Sequence, residues 1–197
     1  LEEDFRTYVN EHCTFCSTLV DRIVPGRIRD AEEVARLEAE NGYSDPLMDV
    51  GEVFGVWNIE GPQWLEEKLP FKAAGVNCIV VPNVTPYKKR KVRILNGAHT
   101  GFVLGAYLAG HEIVGDCMAD KDTREYMSQA LFNEIMPTLD LPKDDLEAFA
   151  SAIFERFENP FIDHALISIC LNSVSKWKAR VLPSVLDAVQ CGTTPHG

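Results

Sequence analysis

Tyr87-Lys88-Lys89-Arg90-Lys91-Val92-Arg93-Ile94-Leu95-Asn96-Gly97-Ala98-His99-Thr100 is the stretch on which the reading of this chain turns. It opens with five basic residues in six positions, in a chain of net charge −11. It then turns apolar and small, with Gly97, Gly101, Gly105, Ala106 and Ala109. Thr85 suits a helix cap and Pro86 a first helical turn, so the spacing predicts a long helix reaching Gly110. Glycine inside a helix costs ~1 kcal/mol against alanine. Three glycines four apart on one face therefore predict the close approach of a second backbone. Lys91, Leu95 and His99 fall at four-residue steps on one stripe, and Asn96 lies on its flank, about 60° from His99. An amine, a carboxamide and an imidazole thus reach toward one pocket. Partial burial and neighbouring cations both lower a lysine's pKa, which suits Lys91 to general acid/base work near neutral pH. On spacing alone, a solvated basic turn followed by a packed helix with a satisfied core histidine is the simpler account.

Working outward, residues 2–12 predict a short helix. Phe15 to Val24 is rich in Val, Ile, Leu and Thr and closes at the Pro25-Gly26 turn. Residues 30–40 are acidic and helical in pattern, with Ala31, Val34 and Leu37 on one side. Residues 50–60 alternate through Val53, Phe54, Val56, Trp57 and Ile59, and with Val76 to Val81 predict a small β-region. Downstream, helices are expected over 121–136, opened by Asp120 or Asp122 and closed at Pro137. Another follows Pro142, favoured by Asp144 and Asp145 in its first turn, and ends near Asn159-Pro160. A fourth runs from about Phe161 to Leu182. A short one from Pro183 to Gln190 stops at Gly192. The expected fold is mainly α, with a small β-rich element near the N-terminus.

Composition limits the function classes. The 197 residues are 46% apolar and 25% charged, the usual globular mix, which sets aside disorder, collagen and coiled coil. No apolar run approaches the ~20 residues of a membrane span, and the acidic balance disfavours nucleic acid and anionic membrane as partners. Neither a G-x-G-x-x-G nor a G-x-x-x-x-G-K-[ST] occurs, so the usual phosphate cradle of a nucleotide lies outside the chain. The start at Leu1 rather than Met leads us to expect a piece of a longer polypeptide. Most of the six cysteines sit singly in apolar surroundings and read as buried free thiols of a reducing cytoplasm. Cys13-x-x-Cys16 has no second pair to complete a structural zinc site.

The expected fourth helix carries His164, Ser168, Asn172 and Lys176 at four-residue steps on an otherwise apolar segment. Such a stripe faces either water or a polar pocket, and His164, Asn172 and Lys176 are candidate substrate-binding residues. Lys176, Lys178 and Arg180 form a second basic spot. Two basic spots in an acidic chain suit an anionic substrate, whose carboxylate pairs with Arg or Lys. Glu60 is a weaker candidate for a proton relay. The acidic helices at 30–40 and 144–158 read as solvated faces.

Lys91-x4-Asn96-x2-His99 resembles the K-x4-N-x2-H signature of the polyol-specific long-chain dehydrogenase/reductase family, which includes the mannitol 2-dehydrogenases. Phe15-Cys16-Ser17-Thr18-Leu19-Val20-Asp21-Arg22-Ile23 and Arg156-Phe157-Glu158-Asn159-Pro160 are similar to that family's F-x-N-S-x-V-D-R-I and R-F-x-N-P segments. Ile94-Leu95-Asn96-Gly97-Ala98-His99-Thr100, Leu139-Asp140-Leu141-Pro142 and Glu147-Ala148-Phe149-Ala150-Ser151-Ala152 resemble most its hexuronate-reducing members. The resemblance covers about residues 10 to 186.

The resemblance implies an NAD-dependent oxidoreductase that works without a catalytic metal. It identifies residues 1–197 with the helical substrate domain, similar to the C-terminal domain of 6-phosphogluconate dehydrogenase. The NAD-binding Rossmann domain would be a partner absent from this chain, with no cofactor-binding residue here. It makes Lys91 the general acid/base and has Asn96 and His99 hold and polarise the reacting oxygen. The chain departs from the mannitol enzymes at Ser17, where they carry an Asn that helps hold that oxygen; Ser17 stands as a candidate substrate-binding residue. The substrate expected is a hexuronate. A sister enzyme acting on another ketose or polyol, and a freestanding helical binding module without catalysis, remain as alternatives.

Overall fold

The computed structural model of the chain describes residues 2–195. In chain order it forms α1 (Glu3–His12), β1 (Thr18–Asp21), α2 (Ala31–Asn41), β2 (Val56–Glu60), α3 (Leu65–Lys68), β3 (Cys78–Val81), α4 (Thr85–Lys91), a π-turn (Val92–Asn96) and α5 (Gly97–Leu108). There follow α6 (Val114–Ala119), α7 (Lys121–Gln129), a second π-turn (Ala130–Ile135), a 3-10 turn (Met136–Thr138), α8 (Lys143–Phe157), α9 (Leu166–Cys170), α10 (Ser173–Arg180) and α11 (Leu182–Gln190). The mainly helical class with one small sheet agrees with the expectation. The described chain divides into two compact units, residues 2–22 with 54–88, and residues 23–53 with 89–195.

The first unit holds the sheet, in the order β1-β2-β3. β1 runs antiparallel to β2, with Thr18 opposite Ile59 and Asp21 opposite Val56. β2 runs parallel to β3, with Trp57 opposite Cys78, and α3 lies in the crossover between them. A parallel pair needs such a crossover because its strands point the same way. Ile59, Leu65 and Cys78 form its small buried cluster, against which Trp57 and Phe71 pack with ring centroids 5.3 Å apart. The strands are shorter than the alternating pattern at 50–60 suggested: Val53 is 99% exposed and stands outside the sheet. The Glu60 carboxylate accepts from the Val84 backbone N–H at 2.8 Å and so anchors the entry to α4.

The second unit contains the main core. Ile94, Leu95, Phe102 and Val103 pack with Met127, Leu131, Ile153, Phe157 and Leu166, all buried. Each such side chain contributes about 1.5–3 kcal/mol through area removed from water. α8 buries Leu146, Ala150, Ile153 and Phe157 on one face, so this helix is amphipathic and not merely a solvated acidic face. α2, by contrast, buries nothing and is laced by Arg36 to Glu33 and Glu40. Asp30 and Asp120 cap their helices by accepting backbone N–H bonds from Glu32 and Thr123, at 2.8 Å each.

Four expectations are corrected by the structure. The long helix after Pro86 opens into a π-turn at Val92–Asn96, and the helix after Asp120 does the same at Ala130–Ile135. The expected single helix from Phe161 to Leu182 is two helices, α9 and α10, separated at Asn172, whose φ of 58° is left-handed. Asn tolerates that conformation better than most residues because its short polar side chain bonds locally. Finally, among the described residues nothing lies within 4 Å of a Cβ built on Gly101 or Gly105, so the expected close approach is not made there; at Gly97 the Arg180 carbonyl lies at 3.5 Å.

Candidate functional site

The signature residues surround the first π-turn. The Gly97 N–H reaches back five residues to the Val92 carbonyl, the closure that defines such a turn. Five-residue closure changes which side chains share a face. Position 96, rather than position 95, comes into line with position 91, and Leu95 turns into the core at 2% exposure. The expected Lys91-Leu95-His99 stripe is thus replaced by Lys91 with Asn96, and by Asn96 with His99 at i,i+3. π-turns in helices are frequent at functional sites.

Lys91 and Asn96 are half-buried, and His99 is buried. The Asn96 carboxamide makes no hydrogen bond among the described residues. The Asn96 carbonyl accepts from the Thr100 hydroxyl at 2.8 Å. His99 stacks on Phe157 with ring centroids 4.2 Å apart and meets His164 edge-on at 5.3 Å. Its Nε2 is buried and has no hydrogen-bond partner among the described residues. Burial pushes the His99 pKa well below the ordinary 6.5, and the nearby His164, Arg180, Arg156 and Lys91 push the same way. Burial thus favours the neutral form of the His99 imidazole, and its Nε2 is open to meet a polar atom. The "satisfied core histidine" of the simpler account does not describe it.

The other candidates separate. Burial also lowers the His164 pKa, Lys176 adds to that, and Glu52 opposes it. Lys176 donates to the Ile169 carbonyl at 2.7 Å, and its pKa is lowered by burial and by Arg180. Asn172 is exposed and makes the left-handed break before α10, while Ser168 is exposed and donates to the Ala165 carbonyl at 2.7 Å. The broken helix dissolves the four-step stripe: His164 stands beside His99 and Lys176 on α10, but Asn172 and Ser168 do not follow them. Ser17 belongs to the first unit, where it accepts from the Lys88 ammonium at 2.7 Å. Of the cysteines, Cys78 and Cys117 are buried as expected, whereas Cys13 and Cys191 are exposed.

Sequence reasoning missed Glu52. Its carboxylate receives Arg156 through two bonds, Nη2 to Oε1 at 2.7 Å and Nε to Oε2 at 3.0 Å, and also the Ile23 backbone N–H at 2.6 Å. Both side chains are almost fully buried, at 7% and 2% exposure. A buried charge survives only when paired and hydrogen-bonded in this way. The pair fixes Arg156, and so the last turn of α8, on which Phe157 supports His99. Arg156 carried a signal in R-F-x-N-P; Glu52, between Gly51 and Val53, carried none. An open groove of about 520 Å³ elsewhere on this unit is lined by Gly97, Gly101, Tyr126, Ala130 and Val185, and does not include Lys91, Asn96 or His99.

Comparison with known proteins adds a second line of argument. Residues 83–197 match the family model of the mannitol dehydrogenase C-terminal domain, and residues 1–83 match that of the mannitol dehydrogenase Rossmann domain. The three strands lie within the segment that the Rossmann model matches. The chain is similar to the altronate oxidoreductase of Cronobacter sakazakii (strain ATCC BAA-894), with 47% identity over 192 residues, covering 97% of this chain and 39% of that protein. It is 46% identical over 196 residues to the altronate oxidoreductase of Escherichia coli O6:K15:H31 (strain 536 / UPEC), covering 99% and 40%. The chain thus spans about two fifths of the length of these relatives. Among solved structures it resembles a D-sorbitol dehydrogenase in substrate-free form, with TM-score 0.79 and 26% identity over 96% of this chain and 38% of that one. It also resembles the Pseudomonas fluorescens mannitol 2-dehydrogenase in ternary complex with NAD and D-mannitol, with TM-score 0.75 and 25% identity over 96% and 38%.

Proposed function

The chain belongs to the mannitol dehydrogenase family, and from that premise we propose that it forms the proton-transferring part of an NAD-dependent hexuronate reductase interconverting D-tagaturonate and D-altronate. The observation that carries this reading is the neutral, buried His99, with an open ring nitrogen, three residues beyond a half-buried Asn96 and across the π-turn from Lys91. In reduction, the Lys91 ammonium gives its proton to the keto oxygen as that oxygen gains charge. In oxidation, the Lys91 amine takes the hydroxyl proton. The Asn96 carboxamide and a His99 N–H donate to the same oxygen, holding it and stabilising negative charge as it develops. A histidine kept neutral suits this task, since it donates one hydrogen bond without competing for the transferred proton.

NAD, when bound, supplies or accepts the hydride. The residues here do not hold its diphosphate: no G-x-G-x-x-G turn is present, and the parallel pair β2-β3 crosses over through the four-residue α3. The rest of a Rossmann domain, to which residues 1–83 are similar, would bind it. Six free cysteines fit a reducing compartment, and we place the reaction in the cytoplasm. Among the described residues no helix is long and apolar enough to cross a membrane.

The test is NADH consumption by the complete encoded polypeptide with D-tagaturonate, D-fructuronate and D-fructose side by side. Preference for D-tagaturonate is expected, and Lys91→Ala should lower kcat by about 10²–10⁴-fold. Preference for D-fructuronate or D-fructose would move the chain to a sister enzyme of the family. No turnover of any of the three, with or without Lys91, would leave a binding module in its place.

A further inference from the structure

In the second unit, Arg180 acts as a nearby positive charge on His99, and Lys176 on His164. Lys176 and Arg180 stand at i,i+4 on α10. Arg180 donates through Nη1 to the Thr100 hydroxyl at 3.3 Å. Thr100 follows His99 directly, and its own hydroxyl donates to the Asn96 carbonyl. The guanidinium is thereby tied to the turn of α5 that carries both candidate oxygen-holding residues. The close approach of Gly97 supports this placement: a Cβ there would sit 3.5 Å from the Arg180 carbonyl.

Neither cation has a carboxylate partner among the described residues. Glu52, the buried acidic group of this region, is fully committed to Arg156 and Ile23. Arg180 is half-buried and uses one of five guanidinium N–H groups on Thr100. A partly desolvated cation without a counter-charge is costly, and burial lowers the pKa of both Arg180 and Lys176. Exposed lysines and arginines on a solvated face would not show this.

We propose that Arg180, supported by Lys176, is the site that takes the carboxylate of an anionic sugar substrate and so sets the preference for a hexuronate over a neutral ketose. The planar guanidinium offers its remaining N–H groups as a fork matching a carboxylate, and the Lys176 ammonium one turn away adds a point charge. This inference rests on the hexuronate reading above.

The experiment compares kcat/KM for D-tagaturonate and D-fructose in the complete encoded polypeptide. Arg180→Gln is expected to lower the tagaturonate-to-fructose ratio by about ten-fold or more, chiefly through the KM for D-tagaturonate, since a charge-assisted pair is lost. Arg180→Lys should restore part of the ratio. A ratio within about two-fold of wild type in Arg180→Gln overturns the proposal while leaving the hexuronate reading intact. A wild-type enzyme that prefers D-fructose removes the hexuronate reading itself. Should Arg180→Gln fail to fold, Arg180→Lys decides alone: it keeps the charge but loses the fork, and an unchanged ratio there overturns the proposal equally.

Discussion

His99 lies flat against Phe157, with ring centroids 4.2 Å apart and an interplanar angle of 21°. The aromatic face excludes water from the imidazole and is itself only 3% exposed. One contact therefore serves both the core of the helical unit and the protonation state of a candidate site residue. Phe157→Ala should destabilise the fold by about 3–5 kcal/mol, measured by chemical denaturation. Phe157→Leu, which keeps more of the volume, should leave a folded protein. Its His99 pKa should rise toward the ordinary histidine value, read by NMR titration of the ring protons. An unchanged His99 titration in that variant would show that Phe157 does not supply the desolvation.

The two depressed histidines give stability a direction in pH. For a histidine whose folded pKa lies below its unfolded value, the unfolded chain binds more protons in the window between the two. Stability is then fully present above about pH 6.5 and falls as pH drops below it toward the folded values of His99 and His164. Thermal melts between about pH 7.5 and pH 5 should show this slope. His99→Phe should flatten it; an equally steep slope in that variant would place its origin elsewhere.

The Glu52–Arg156 pair should behave as a buried unit. Glu52→Leu or Arg156→Leu alone strands a charge in the interior and should cost about 3–5 kcal/mol. The double variant should lie closer to wild type than the sum of the two, because no uncompensated charge remains. Additive losses in a double-mutant cycle would contradict a direct coupling.

Gly101 and Gly105 lie inside α5 with open space where a Cβ would be. Replacing either with alanine should therefore stabilise the protein by up to about 1 kcal/mol, through helix propensity and reduced freedom of the unfolded chain. A loss of stability in denaturant titrations would mean that this face is covered in the assembled protein.

The left-handed Asn172 supplies a fifth check. Asn172→Gly should be close to neutral in stability. Asn172→Val should cost about 1–2 kcal/mol, because a β-branched residue is strained at φ of 58°. Equal stability of the two would mean that the chain relaxes its break between α9 and α10.

Much of the helical frame was legible where a residue type has one job. Asp120 as a cap, Pro142 as a boundary and Gly192 at φ of 77° as a stop stand where the sequence put them. The break at Asn172 was not legible, because apolar and polar residues keep helical spacing through Leu171 while a single backbone torsion ends the helix. The π-turn at Val92–Asn96 has no residue signature: the same side chains would make a regular α-turn, and only the packing of Arg93, Ile94 and Leu95 into the core decides otherwise. The motif Lys91-x4-Asn96-x2-His99 was readable, but its geometry was drawn on the wrong helix period. Glu52 was silent because its importance lies in a partner 104 residues away.

That π-turn is, in effect, a one-residue insertion that a helix has absorbed without a loop. Deleting one residue between Val92 and Leu95 would let the segment close as ordinary α-helix, with every backbone hydrogen bond still made. It would bring Lys91 and Asn96 to i,i+4 of that helix, where the two still share a face. The molecule could lose a residue there and keep both its helix and the phase between Lys91 and His99; the extra residue is carried by the bulge alone.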